Sequence, residues 1–225
     1  MIINVENKNP KSSQGWTPLH SAAFYGHFEV FEVIMKEIGD KNPVDNHGST
    51  PLHGAAKKGH FKVCEAIMNE IEDKNPRDND GVTPLHLAVQ NGNFELCESI
   101  INCIENKNPS DNLGWTPLHC AAFNGHGKIC KTILKHIEEK NPRDITGRTV
   151  LHIAALCGNF EVCEVIMSEI ENKNPRDDSG WTPLHYAANG GHLSICKAIM
   201  RNTEKKGPPS NDGTTPSKLL MKHMG

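Results

Sequence analysis

Apolar residues recur along the chain in a pattern that restarts every 33 positions. Between Asn42 and Lys74, Cys64, Ile67, Met68 and Ile71 fall at i, i+3, i+4 and i+7, the stripe of an amphipathic helix. Lys62, Glu65, Asn69 and Glu70 lie opposite and predict a solvated side. The Ile67 position is isoleucine in every window: Ile34, Ile67, Ile100, Ile133, Ile166 and Ile199. A shorter helix is expected ahead of this one. Its small pair Ala55-Ala56, echoed at Ala22-Ala23, Ala121-Ala122, Ala154-Ala155 and Ala187-Ala188, allows close approach between helices. Thr50 is placed to N-cap it, and Pro51 sits at the first helical position, where a missing N–H costs nothing. Gly59 is placed to end it in a left-handed conformation. The segment Asn42 to Gly48 is dense in turn formers. Helices of about 8–11 residues are shorter than the roughly 12–15 needed for marginal stability in isolation, so stacking must supply the burial.

The same landmark opens each short helix. Thr17-Pro18-Leu19-His20 returns at Thr50–His53, Thr83–His86, Thr116–His119 and Thr182–His185, with the variant Thr149-Val150-Leu151-His152 and a degenerate Thr215-Pro216-Ser217-Lys218. A strict 33-residue period carrying Thr-Pro-Leu-His resembles the ankyrin repeat family, over almost the whole chain. The resemblance implies an all-α repeat, an ankyrin-repeat solenoid of helix-turn-helix units joined by β-hairpin-like turns. On this reading residues 1–8 are the end of a preceding repeat helix, since Met1 to Lys8 aligns with Ile100 to Lys107. Six full repeats follow at 9–41, 42–74, 75–107, 108–140, 141–173 and 174–206, and 207–225 form a partial C-terminal capping repeat. The opening half-unit suggests a longer array.

Composition narrows the partners. With 225 residues and a formal charge of -3, the chain gives no reason to expect nucleic acid or an anionic membrane. No apolar run approaches the ~18 residues of a membrane span, and Met1 to Glu6 lacks the features of a secretory signal. Five of the eight cysteines (Cys64, Cys97, Cys130, Cys163 and Cys196) share one helical column. Helices pack roughly 8–10 Å apart, too far for the ~4.4–6.8 Å between bridged Cα atoms. Buried free thiols and a reducing, cytoplasmic location are expected. The 13 histidines are mostly periodic and so do not converge on a metal. No cofactor is expected, and with no catalytic motif in the chain, no enzyme. In the family the motif histidine hydrogen-bonds the hairpin framework, and the resemblance implies the same here. The Asn9, Asn42, Asn75, Asn108, Asn141 and Asn174 column aligns with a position hydroxylated in some family members, but its Lys-Asn-Pro setting favours a turn role.

Function should then sit where the repeats differ. The resemblance implies binding on a concave face built from hairpin tips and the exposed side of the first helices. The residues expected there are Trp16, Phe24, Tyr25, Lys57, Lys58, Trp115, Phe123, Arg148, Ile153, Leu156, Trp181 and Tyr186. Binding hot spots favour Trp, Tyr and Arg, and Trp115, Phe123 and Tyr186 are the expected anchors. A tryptophan ahead of Thr-Pro-Leu-His can equally pack across neighbouring hairpins. The expected function is a monomeric, non-catalytic scaffold for a protein or peptide partner. The alternatives are a targeting module of a larger enzyme, such as a kinase or ubiquitin-ligase receptor, and a structural spacer.

Overall fold

The computed structural model describes residues 9–203 and 207–222. The expected helix end at 1–8 lies outside them, as do 204–206 of the sixth repeat and 223–225 of the cap. The chain divides into two compact units, Met1–Asn112 and Leu113–Gly225. The first holds three helix pairs: α1 (Pro18–Tyr25) with α2 (Phe28–Glu37), α3 (Pro51–Lys58) with α4 (Phe61–Glu70), and α5 (Pro84–Gln90) with α6 (Phe94–Cys103). The second holds α7 (Pro117–Asn124) with α8 (Gly127–Lys135), α9 (Val150–Cys157) with α10 (Phe160–Glu169), α11 (Pro183–Asn189) with α12 (Leu193–Arg201), and the single α13 (Pro216–Met221). Within the first unit the leading helices pack in the order α1, α3, α5, and the trailing helices in the order α2, α4, α6. The second repeats this as α7, α9, α11, α13 and α8, α10, α12. Among the described residues there is no strand, only an isolated bridge between Arg143 and Thr149. This is an all-α ankyrin-repeat fold.

The tetrapeptide makes each helix start a closed hydrogen-bond circuit. Thr149 N–H donates to Nδ1 of His152 at 2.9 Å, so that nitrogen carries no proton. The opposite nitrogen, Nε2, lies 3.1 Å from the Trp181 carbonyl oxygen and must be the protonated one. One neutral imidazole therefore caps its own helix and ties it to the base of the next hairpin. Thr17, His20 and Ser49 O form the same circuit, as do Thr50, His53 and Val82 O, and Thr182, His185 and Thr214 O.

Lys-Asn-Pro clips neighbouring helices from the other end. The ammonium of Lys74 donates to the Met68 and Ile71 carbonyls at the exposed end of α4, where positive charge meets the negative pole of the helix. Lys41, Lys107, Lys140 and Lys173 do the same for α2, α6, α8 and α10. The next residue looks forward: Asn75 Oδ1 accepts from Leu85 N–H at 2.9 Å, satisfying a donor in the first turn of α5. Asn141 and Asn174 serve α9 and α11.

The core is drawn from the periodic columns. Leu52, Leu85, Ile67 and Ile100 are fully buried in the first unit, and Leu118, Leu151, Ile133, Ile166 and Ile199 in the second. All five column cysteines are buried and unbridged. Burial pushes the thiols of Cys64, Cys97, Cys130 and Cys163 up to about 12. At the hairpin, Gly48 has φ +73°, and a Cβ there would lie 2.5 Å from Asn79 Oδ1, so both conformation and space require glycine.

Candidate functional site

Buried aspartates position the variable side chains. The first carboxylate oxygen belongs to the turn: Asp144 Oδ1 accepts from the N–H groups of Thr146 and Arg148, and Asp45 Oδ1 from those of His47 and Ser49. In three hairpins the second oxygen holds a side chain, a different one each time. Asp45 Oδ2 accepts from the Trp16 indole N–H at 3.1 Å. Asp144 Oδ2 holds the Arg148 guanidinium, with Nε at 2.8 Å and a terminal nitrogen at 2.7 Å. Asp177 Oδ2 accepts from the Tyr186 hydroxyl at 2.8 Å. Burial opposes ionisation of Asp144, but the bonds from Thr146 and Arg148 outweigh it and hold the carboxyl below its usual value. Burial pushes the Tyr186 phenol up, and the bond to Asp177 adds to this.

The rings gather into clusters over the motif histidines. In the first unit Trp16 lies 5.4 Å from Phe24, and Phe24 meets Tyr25 edge-on at 5.3 Å. The Lys58 ammonium sits 4.7 Å above the Phe24 ring, and Lys57 beside it is exposed. Tyr25 is 63% exposed. In the second unit Trp115 packs against Phe123 at 5.8 Å. Trp181 packs against Tyr186 at 5.2 Å, and Tyr186 stands edge-on to His152 at 5.6 Å.

The expected site residues divide accordingly. Phe123 is 50% exposed. Trp115, Leu156, Trp181 and Tyr186 are half-buried and offer ring or methyl surface only in part. Arg148 spends its Nε and one terminal nitrogen on Asp144, and the Tyr186 hydroxyl donates to Asp177. Ile153 corrects the sequence reading: it is 1% exposed and presents no surface to a partner. Its column points at the preceding leading helix, as Gly54 shows, where a Cβ would meet Phe24 at 3.5 Å. Two residues passed over in the sequence take its place. Leu113 and Ile145 stand on adjacent hairpin tips at 59% and 65% exposure, joined by Ile145 N–H donating to Leu113 O at 3.1 Å. Both lie in the columns beside the repeat glycine, where variable positions are expected, but neither carries the aromatic ring or guanidinium typical of a hot spot.

Clefts open elsewhere in the second unit. One of about 650 Å³ runs along the Lys-Asn-Pro edge, lined with mixed charge from Arg143, Glu171, Lys173 and Arg176. No group of three or more His, Cys, Asp or Glu among the described residues could hold a metal.

An ankyrin-repeat family model matches in three copies, over residues 1–78, 67–144 and 137–210. The chain belongs to the ankyrin-repeat family, whose repeats are in general protein-interaction modules and typically non-catalytic. No curated protein matches the sequence. No helix among the described residues is long and apolar enough to cross a membrane.

Proposed function

We propose that the chain is a non-catalytic scaffold that binds a protein partner on its concave face, through the leading helices and hairpins of the second unit. The observation that carries this is the exposure of Phe123, packed against Trp115, together with that of Leu113 and Ile145 on adjacent hairpin tips. Clustered apolar exposure of this kind marks interaction sites on proteins otherwise polar at the surface. Tyr186, held by Asp177, is fixed before binding, which lowers the entropic cost of association. Trp115, Phe123 and Tyr186 are the proposed anchors, with Leu156 and Trp181 completing the surface. The core thiols fit a protein kept in a reducing, cytoplasmic compartment.

The test compares wild type with a Trp115→Ala/Phe123→Ala/Tyr186→Ala variant in affinity capture from the native cell. Truncation of hot-spot residues costs about 2 kcal/mol or more each, so a specific partner should drop out of the variant's bound fraction. Identical captured sets, with the variant folded by circular dichroism, would sink the proposal.

A further inference from the structure

Asparagines link successive hairpin tips, and Asp178 departs from that pattern. Asn46, Asn79, Asn112 and Asn211 each donate a side-chain N–H to the backbone carbonyl of the residue 33 positions earlier, at 2.9 to 3.2 Å. The side-chain oxygen of each lies over the glycine of the preceding hairpin. Asn79 Oδ1 is 2.5 Å from where a Cβ on Gly48 would stand, and Asn211 Oδ1 is 2.4 Å from that on Gly180. Asp178 holds the same pose, with Oδ1 2.3 Å from the Cβ position of Gly147 and its backbone N–H donating to Thr146 O. Its second oxygen therefore stands where the others carry the amide N–H, beside Ile145 O, and an acceptor faces an acceptor. The carboxylate is exposed and takes no hydrogen bond or ion pair from the described residues. Arg143, at the base of the Gly147 hairpin, donates instead to the Gly147 and Arg176 carbonyls. Two oxygens so placed leave room for a donor supplied from outside.

We infer that Asp178 and the Ile145 carbonyl receive the cationic head of a lysine or arginine in a peptide segment of the protein partner, with an apolar residue beside it seated on Leu113 and Ile145. The inference rests on the reading that the hairpins and leading helices of the second unit bind a partner, and it names the chemistry of that partner. Charge complementarity selects it: an ammonium or guanidinium offers several N–H donors at once and can bridge the carboxylate and the carbonyl. Leu113 and Ile145 are 59% and 65% exposed on the adjoining tips, so the cation should come with an apolar neighbour. An asparagine at position 178 would restore the tip-to-tip bond and remove the charge. The carboxylate thus gives up a framework bond for a point of recognition.

The full chain can be titrated by fluorescence polarisation with a labelled peptide of lysines interspersed with leucines. Control peptides carry Gln for Lys or Ser for Leu, and each should bind about tenfold more weakly. Asp178→Asn should weaken the lysine–leucine peptide about tenfold. The same variant should raise the thermal midpoint by about 2–4 °C, because the amide restores the missing bond to Ile145 O. Asp80→Asn removes an exposed tip charge in the first unit and should leave binding unchanged. The inference is overturned if the peptide fails to bind, if Asp178→Asn binds it as wild type does or melts no higher, or if Asp80→Asn weakens it as much. Asp178→Asn in the affinity capture separates this inference from the reading beneath it. A partner kept by Asp178→Asn and lost by the Trp115→Ala/Phe123→Ala/Tyr186→Ala variant overturns the inference alone, and a partner lost by both supports it. Identical captured sets for wild type and the triple variant sink the scaffold reading.

Discussion

At the level of single residues, His152 shows how the framework depends on one protonation state. Its Nδ1 accepts from Thr149 N–H, so a proton there would set donor against donor. Burial lowers its pKa from 6.5 to about 4. Between those values the unfolded chain binds the proton and the folded chain does not, so stability rises with pH. The contribution is fully present above 6.5 and lost as pH falls toward 4. At about pH 5 the loss from His152 alone is about 2 kcal/mol. His20, His53 and His185 are shifted in the same direction by burial and add to it. Urea midpoints at neutral and mildly acidic pH measure this; equal midpoints would contradict the tautomer assignment. The capping threonine could be read from the sequence because it acts within three residues, whereas the framework role of the histidine came from the family resemblance, since its Nε2 reaches a carbonyl 29 positions on. The role of Asp45 could not be read, because Trp16 meets it from the neighbouring repeat, 29 positions away.

Among the helices, α9 departs from the rule that proline opens the leading helix. Val150 takes that place, fully buried. Thr149, at φ -97° and ψ 169°, already has the extended backbone that a following proline requires. Val150→Pro should therefore stabilise the fold by about 0.4–1 kcal/mol, mainly by restricting the unfolded chain. Thermal denaturation of the variant gives the sign directly, and a lowered midpoint would show that the Val150 N–H or methyl groups matter more than supposed. Helix number, order and caps followed from the period, because every element repeats its own spacing. The lysine of Lys-Asn-Pro was not recognised as a helix cap, since a lysine after an amphipathic stripe reads as ordinary surface charge. Only the path of the backbone brings its ammonium back onto the last carbonyls. Ile153 was misplaced for a related reason: helical phase puts it on the leading face, and the adjacent helix then covers it.

For the molecule taken whole, the eight cysteines form a built-in record of order. Cys64, Cys97, Cys120, Cys130, Cys163 and Cys196 are buried, Cys157 is half-buried and Cys103 is exposed. A mild alkylating reagent should label Cys103 first and Cys157 more slowly, leaving the other six until unfolding. Peptide mapping by mass spectrometry would locate each event, and early labelling of Cys64 or Cys163 would contradict the packing. The column that holds five of them was legible as core from its helical phase, whereas the exposure of Cys103 depends on where α6 ends. Family membership and fold could be read at this scale because nearly every repeat restates the same pattern. The proposed partner surface rests on a few departures from that pattern, such as Leu113 and Ile145, and a departure carries no repetition to confirm it.

Asp45, Asp144 and Asp177 act as three like sockets in their hairpins. One oxygen is wired permanently into the turn, and the other accepts whichever plug the sequence supplies: an indole at Asp45, a guanidinium at Asp144, a phenol at Asp177. Exchanging plugs between repeats should therefore rewrite the recognition surface without rebuilding the hairpin beneath it, which lets such a chain change partners by small substitutions.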